Sequence, residues 1–599
     1  QAIAHSVRAE GVQRIALVSD APEKFDRRDL PDAVTIHHRR ELDTVQRELR
    51  DVPGVTVLIY EQACATEKRR RRKRGQLEDP ARFVMINDLV CEGCGDCSVE
   101  SNCLSVVPKE TPLGRKRQID QNSCNKDYSC LNGFCPSFVT VEGGRRRRPE
   151  PSAADPRERA AALEAPVLPP VDTPYDLLVT GVGGTGVVTV GQVITMAAHL
   201  EGKGASVLDF MGFAQKFGPV LSYLRLAATP AALNQVRIGP ASADALIGCD
   251  LVVSSSPKAS LTYARSDTRA VLSTTEMATA DFVLHRDASL SAAERIEAVR
   301  GAVAELDTVD ANALAAALLG DSIYANVLMT GFAWQRGLIP VGLAAMQRAI
   351  ELNGVKVDEN LQAFAWGRLA AADPETIAAA GAAEAPATAE TLEEVIERRR
   401  AFLADYQNEA LAGKYEQRLA RLKKASGGLP AADAEALLGA VARSYFKLLS
   451  YKDEYEVARL HTQAGFEQRV AAVFDGDYRI HYHMAPPLLA AAKDARGRPR
   501  KKQFGPWLRP VLAVLARGRR LRGTPFDPFG YTRERRDERA LIAEFEGVLD
   551  RLEAGLDEGC VAQAIEIARL PMAIRGFGPV KEEAVATYRL ALSSALAAL

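Results

Sequence analysis

The stretch from Cys91 to Pro136 constrains this chain most, because seven of its ten cysteines fall there. It reads Cys91-Glu-Gly-Cys94-Gly-Asp-Cys97, then Cys103, then Cys124-Asn-Lys-Asp127-Tyr-Ser-Cys130, and it closes on Cys135-Pro136. Thiolates this dense repel one another and oxidise unless something cationic holds them, so the pattern points to a bound metal centre. Cys-x2-Cys-x2-Cys with a remote Cys-Pro is how ferredoxins wrap a cubane cluster, and with two clusters the last Cys of each run ligates the other one. That rule assigns Cys91, Cys94, Cys97 and Cys135 to one 4Fe-4S cluster. Cys103, Cys124 and Cys130 go to a second, which is one thiolate short.

In the frame opened by Cys124, Asp127 takes the middle position. A carboxylate there is a harder ligand, or it leaves an iron open and the second cluster becomes 3Fe-4S. Three alternatives therefore stand: Asp127 as eighth ligand, an open site, or a contribution from Cys64. Structural zinc is the competing reading, but it asks for paired Cys-x2-Cys knuckles, and only the first half supplies one. A disulfide framework fits less well, since no leader precedes the cysteines and a chain of this size needs no staples.

With 599 residues the chain has room for about three or four domains. No run of 18 uncharged apolar residues occurs, so no membrane-spanning helix is expected. A net charge of -1 speaks against wholesale nucleic-acid binding, although local basic runs are severe. The chain opens on Gln and is expected to continue a longer polypeptide.

Residues 1–88 read as the end of an α/β domain, with strand-like Arg14–Ser19 and Gly54–Tyr60 around a helical stretch near Leu42–Leu49. Seven basic residues follow from Lys68 to Arg74. They cannot share one helix face, so some are expected to reach phosphates or an acidic surface, the alternative being a solvated loop. The isolated Cys64 reads as a core residue or as a neighbour of a site.

Residues 89–144 form the cysteine module. Arg145–Arg148 and seven prolines from Pro149 to Pro174 mark a linker over 145–174. Asp176-Leu-Leu-Val-Thr-Gly181-Val-Gly183-Gly184-Thr-Gly186 then reads as a strand entering a Gly-x-Gly-x-x-Gly turn, with a helix over Val187–Leu200. Asp209, on the strand Ser206–Phe210, would suit the ribose of a dinucleotide, although the same turn also serves to pack a helix on a sheet. Strands at Pro219–Leu226 and Asp250–Ser255 extend a doubly wound sheet over 175–370, with Cys249 as a buried small hydrophobe.

A second linker is placed at 371–390. Residues 391–599 carry helical spacing at Leu392–Leu403, Tyr415–Leu422, Ala434–Tyr451 and Ala540–Leu552. Tyr445, Phe446, Leu449, Tyr455 and Leu460 read as a core stripe, His481-x-His483 as a structural pair, and Arg496–Lys502 as an exposed loop.

Several long motifs carry a family resemblance. Asn87-Asp-Leu-Val-Cys91 through Cys97, Gly114-Arg-Lys-Arg117, Ser123-Cys-Asn-Lys-Asp127 and Asn132-Gly-Phe-Cys135-Pro-Ser-Phe-Val resemble bacterial fused indolepyruvate ferredoxin oxidoreductases, as does Cys64-Ala-Thr-Glu-Lys-Arg before them. Gly181–Gly186 and Met211-Gly-Phe-Ala-Gln-Lys216 resemble the gamma-type domain of 2-oxoacid ferredoxin oxidoreductases. Tyr451-Lys-Asp-Glu-Tyr-Glu-Val-Ala-Arg459 and Arg575-Gly-Phe-Gly-Pro-Val-Lys581 extend the likeness through the tail.

The resemblance implies a multidomain α/β plus α chain. Its parts are the end of a thiamine-enzyme-type domain, a two-cluster ferredoxin-like module, a Rossmann-like gamma-type domain and a helical C-terminal domain. It implies oxidative decarboxylation of an arylpyruvate on thiamine diphosphate with Mg2+, acyl transfer to coenzyme A, and electrons leaving through iron-sulfur clusters to ferredoxin. Residues 1–88 lack the Gly-Asp-Gly turn and downstream Asn that would hold the diphosphate, so an upstream half or subunit is expected to supply that site and no catalytic residue is assigned here. A cytoplasmic homo-oligomer without membrane or nucleic-acid partners is implied as well. Within the resemblance, seven thiolates stand where archaeal relatives offer eight. Two readings from other classes remain, a stand-alone electron-transfer subunit with a nicotinamide site and a zinc-holding nucleic-acid module.

Overall fold

The computed structural model describes residues 1–147, 155–211, 218–277, 279, 281–375, 377, 390–462, 465–486, 493 and 497–598. They fall into two units, Gln1–Pro80 with Asn125–Asp127, and Ala81–Cys124 with Tyr128–Leu599.

In the first unit, β1 (Arg14–Ser19) lies between β2 (Val34–His38) and β3 (Thr56–Glu61), and both pairings are parallel. Alternation along β1 decides the layers. Ile15 and Leu17 join Ala4, Leu30 and Val34 on one face, while Ala16 and Val18 join Val45 and Leu49 of the helix Leu42–Arg50 on the other. The basic run is not a loop. It lies on the helix Ala65–Lys73, where Lys68 pairs with Asp20 at 2.8 Å, Arg70 and Arg71 flank Glu67 at 3.1 Å, and Arg72 donates to the Asn125 carbonyl. Cys64 is exposed at the start of this helix, so of its two readings, core residue or neighbour of a site, the core one does not hold.

The second unit begins with β4 (Arg82–Ile86), the hairpin β5 (Val106–Lys109) and β6 (Lys116–Ile119), and β7 (Phe138–Glu142). After the short β8 (Arg145–Arg146) comes a six-stranded sheet of β9 (Tyr175–Val182), β10 (Gly204–Met211), β11 (Pro219–Ala227), β12 (Ala245–Gly248), β13 (Arg269–Ser273) and β14 (Glu305–Val309). Its order is β10-β11-β9-β12-β13-β14. The β9 to β14 side is parallel, whereas β11 runs antiparallel to both β9 and β10. A uniformly wound sheet is therefore not what forms.

The expected strand at Asp250–Ser255 is a short helix, Leu251–Ser254, because the Asp250 carboxylate accepts from the Val253 amide and caps it. The strand lies just before, at Ala245–Gly248. Cys249 is buried, as expected. The helices Ala325–Gln335 and Val357–Ala372 cross closely, and a Cβ on Gly367 would lie 1.9 Å from the Leu328 carbonyl oxygen. The two segments expected as linkers are not wholly irregular: the helix Val357–Ala372 enters the segment placed at 371–390, and Pro156–Ala161 forms a helix inside 145–174. Residues 148–154, 376 and 378–389 of those segments lie outside the described residues.

The helices Leu392–Tyr406, Glu409–Ala425, Ala431–Leu449, Arg533–Gly555, Val561–Arg569 and Gly578–Ala598 share one core that includes Tyr445, Phe446 and Leu449. Yet this C-terminal third is not purely helical. β15 (Phe474–Asp475) pairs with β8, and β16 (Arg479–Met484) with β17 (Lys502–Phe504) extends the cysteine module into a four-stranded sheet ordered β17-β16-β7-β4. Val139, Val141 and Tyr482 on that sheet pack against Ala458, Leu460, Phe466 and Leu512.

The segment Tyr451–Asp453 ties this arrangement to the first cysteines. Lys452 Nζ donates to the carbonyls of Val90 and Cys91 at 3.1 and 3.2 Å, and Asp453 beside it holds Arg522 in a pair whose side chains are each 3% exposed. Arg522 also stacks 3.7 Å over Tyr406. Removing one partner of a buried pair strands the other. Asp453→Ala is expected to lower stability by about 3–5 kcal/mol, read as the denaturation midpoint, while the paired replacement Asp453→Leu with Arg522→Met recovers much of the loss.

Candidate metal centre

The cysteine loop leaves β4 through Asn87 and re-enters the sheet at Ser137, whose carbonyl accepts from the Asn87 amide at 2.8 Å. Both ends are held by the C-terminal third. Asn87 Nδ2 donates to the Leu460 carbonyl at 2.9 Å, and the His461 ring lies 2.9 Å from the Pro136 carbonyl. Burial pushes His461 down to about 4, so it is neutral at neutral pH.

Between those ends the chain turns on glycines in the left-handed region, Gly93 at φ +64° and Gly95 at φ +83°. A Cβ on Gly93 would lie 2.4 Å from the Arg115 carbonyl oxygen, and one on Gly133 would lie 2.9 Å from Cys97 Cα. Lacking a side chain, Gly93 lets the first cysteine run lie against the turn between β5 and β6, and Gly133 lets the second run approach Cys97. Cys91, Cys94, Cys97 and Cys135 then line one cavity with Gly95, Gly133, Arg117 and Phe138. The Gly93 amide donates to Cys91 Sγ at 3.3 Å, and Ser137 Oγ lies 3.0 Å from Cys135 Sγ.

Burial first, and the neighbouring thiols second, push the Cys94 and Cys97 thiols up; burial does the same to Cys135. Burial and then Cys124 and Cys103 push Cys130 up to about 12. Among the described residues no three His, Cys, Asp or Glu side chains converge as a single metal ion requires. The first four thiols surround a space instead.

Asp127 belongs to the first unit, where its carboxylate accepts from Arg39 at 3.1 Å. The expected structural pair of histidines is found on β16. His483 Nε2 lies 3.1 Å from Thr140 Oγ1 on β7, His481 Nδ1 lies 3.6 Å from Glu142, and burial brings His483 down to about 3.

Two cations escaped the reading of the sequence as site residues. Arg117 is 1% exposed, donates to the Arg286 carbonyl at 3.0 Å, and beside the cysteine cavity its Nε and Nη1 have no hydrogen-bond partner among the described residues. Lys501 donates to the Cys135 carbonyl at 3.2 Å and lies 4.7 Å over the Phe138 ring. Burial lowers its pKa, while Cys135, Cys130 and Cys97 act to raise it. The loop over Arg496–Lys502 is thus not simply exposed. Arg498 is buried against Asp96 and Glu100, and Arg496 lies outside the described residues. Nothing in the local spelling of that run marks it, because its partners lie hundreds of positions upstream.

The glycine turn of the middle domain is a packing device at its first position, where a Cβ on Gly181 would lie 2.4 Å from Val187 Cγ2. Gly184 and Gly186 follow at φ +86° and +101°. Asp209 does not take a ribose position. Its strand β10 is antiparallel and separated from β9 by β11, and its carboxylate accepts from Ser222 Oγ. Gly212–Lys216 of the neighbouring motif lie outside the described residues.

Gly133→Ala is expected to cost about 1–3 kcal/mol, since the atoms it meets are Cys97 backbone rather than a yielding side chain. Thermal unfolding of the variant measures it.

No curated protein matches the chain. Residues 392–594 match a family of unknown function. Among solved structures, pyruvate oxidoreductase subunit PORC from Thermotoga maritima is 19% identical over 33% of this chain and 96% of that one, with a TM-score of 0.25. The gamma subunit of a keto/oxoacid ferredoxin oxidoreductase from Geobacter sulfurreducens is 19% identical over 33% and 98%, at TM-score 0.24. A 2-oxoglutarate:ferredoxin oxidoreductase from Magnetococcus marinus is 14% identical over 33% and 31%, at TM-score 0.26. Residues 176–370, which hold the six-stranded sheet, match the family described as pyruvate ferredoxin/flavodoxin oxidoreductase.

Proposed function

We propose that this chain is the electron-carrying part of a 2-oxoacid:ferredoxin oxidoreductase. The observation that carries the reading is the cavity lined by Cys91, Cys94, Cys97 and Cys135, in the same chain as a domain matching the pyruvate ferredoxin/flavodoxin oxidoreductase family. Those four thiols would hold one 4Fe-4S cluster, and Cys103, Cys124 and Cys130 would hold three corners of a second. Asp127 is proposed for the fourth corner on its spacing from Cys124 and Cys130. When bound, such clusters pass electrons one at a time.

The overall reaction proposed is 2-oxoacid plus coenzyme A giving acyl-CoA, CO2, one proton and two electrons. Indolepyruvate is the proposed substrate, on the motifs the chain shares with that enzyme type. Thiamine diphosphate with Mg2+ is proposed to be held by an upstream half or subunit, and the electrons pass to ferredoxin. This chain's residues exclude water from the thiols, supply amide and hydroxyl donors to sulfur, and place Arg117 and Lys501 where their charge favours an electron-rich centre.

Iron and acid-labile sulfide in anaerobically purified protein test the proposal, with about eight of each per chain expected for two cubanes. A preparation with neither would sink it. Asp127→Cys is expected to change the EPR spectrum of the reduced protein, and an unchanged spectrum rejects the aspartate as a ligand. Lys501→Met is expected to move a cluster potential downward by something on the order of tens of millivolts, with Lys501→Arg restoring most of the shift in a redox titration.

A further inference from the structure

A second cavity, of about 90 Å³, opens where the cysteine loop, the turn between β5 and β6, and the C-terminal helices meet. Its lining holds eight basic side chains and two acidic ones, Glu92 and Glu538. Both acids are already engaged, Glu92 with Lys452 and Glu538 with Lys581 and Arg535. Arg575 pairs with Asp287, and Arg115 with Glu110.

Among the described residues four of these cations form no ion pair with a carboxylate. Arg399 is 4% exposed, donates only to carbonyls, and its Nε has no partner. Lys447 donates to the Met572 carbonyl at 3.2 Å, and Arg443 to the Gly439 carbonyl of its own helix. Lys116, also buried, makes no side-chain hydrogen bond or ion pair among the described residues, and Glu92 acts on it only from a distance. Burial lowers Lys116 to about 8 and Lys447 to about 7; neighbouring cations add to that lowering, while Glu92 opposes it at both. Natural chains rarely bury like charges together unless a counter-charge is met there.

We propose that this cavity binds a phosphate-class oxyanion, either free or as the phosphate of a small organic ligand. The size suits a group of a few heavy atoms, and the mixture of guanidinium forks and ammonium points is what phosphate oxygens take. Phe402, Phe446 and Phe577 supply an apolar wall beside it. The site is not one the cysteines require, and it stands or falls separately from the redox proposal.

Isothermal titration of the full chain with inorganic phosphate, diphosphate and ADP tests it. At least one probe is expected to bind, with Lys447→Met or Lys116→Met weakening that affinity tenfold or more. Tighter binding of ADP than of diphosphate would identify an organic phosphate, and the reverse a free anion. If the buried variants fail to fold, Arg443→Gln at the exposed rim is expected to weaken binding at least threefold. No binding of any probe to the wild-type protein, or affinity unchanged in the folded variants, overturns the proposal.

Discussion

The pairing of β7 with β16 is the constraint on which the rest of this structure depends. It joins residues more than three hundred positions apart, as Thr140 and His483 show by meeting at a separation of 343 residues. The cysteine loop hangs from β4 and β7, and two strands make a marginal sheet. With β16 and β17 added, and with helices of the C-terminal third packed on one face, the loop has a fixed frame. Asn87 and Pro136 at its two ends are then clamped by Leu460 and His461. The tail is therefore part of the scaffold of the cysteine module, whatever else it does.

That frame makes burial of sulfur the next consideration. Removing thiols from water raises their pKa, and each neighbour adds to the effect, so these groups hold their protons against ionisation. Arg117 and Lys501 oppose the same trend from opposite sides of the sequence. Both are drawn close by tertiary packing, Arg117 through the carbonyl of Arg286 and Lys501 through that of Cys135. An unpartnered guanidinium edge in an apolar surrounding is costly.

The middle domain shows how one sequence pattern serves two ends. A glycine turn between a strand and a helix is compatible with a phosphate at the helix start and with simple close packing. Here the first glycine is needed because Val187 sits against it, and Asp209 is spent on a neighbouring strand. In the first unit the basic helix is similarly less available than its spelling suggests, since Asp20, Glu67 and the Asn125 carbonyl already take several of its charges.

Much of the local structure was legible in the sequence, because it depends on spacing: β1 from its apolar run, the long C-terminal helices from three-and-four periodicity, and the gathering of Cys91, Cys94, Cys97 and Cys135 from the cysteine pattern. The short strand β12 and the helix after it were misplaced, since an apolar run of four or five residues has no period to read and an aspartate decided the outcome by capping. The partners β16 and β17, the antiparallel turn of β10 and β11, and the burial of Lys116, Arg117, Arg498 and Lys501 came only with the tertiary structure. Spacing along a chain encodes which side chains share a face, but charge pairing and strand pairing across hundreds of residues are settled by which surfaces meet.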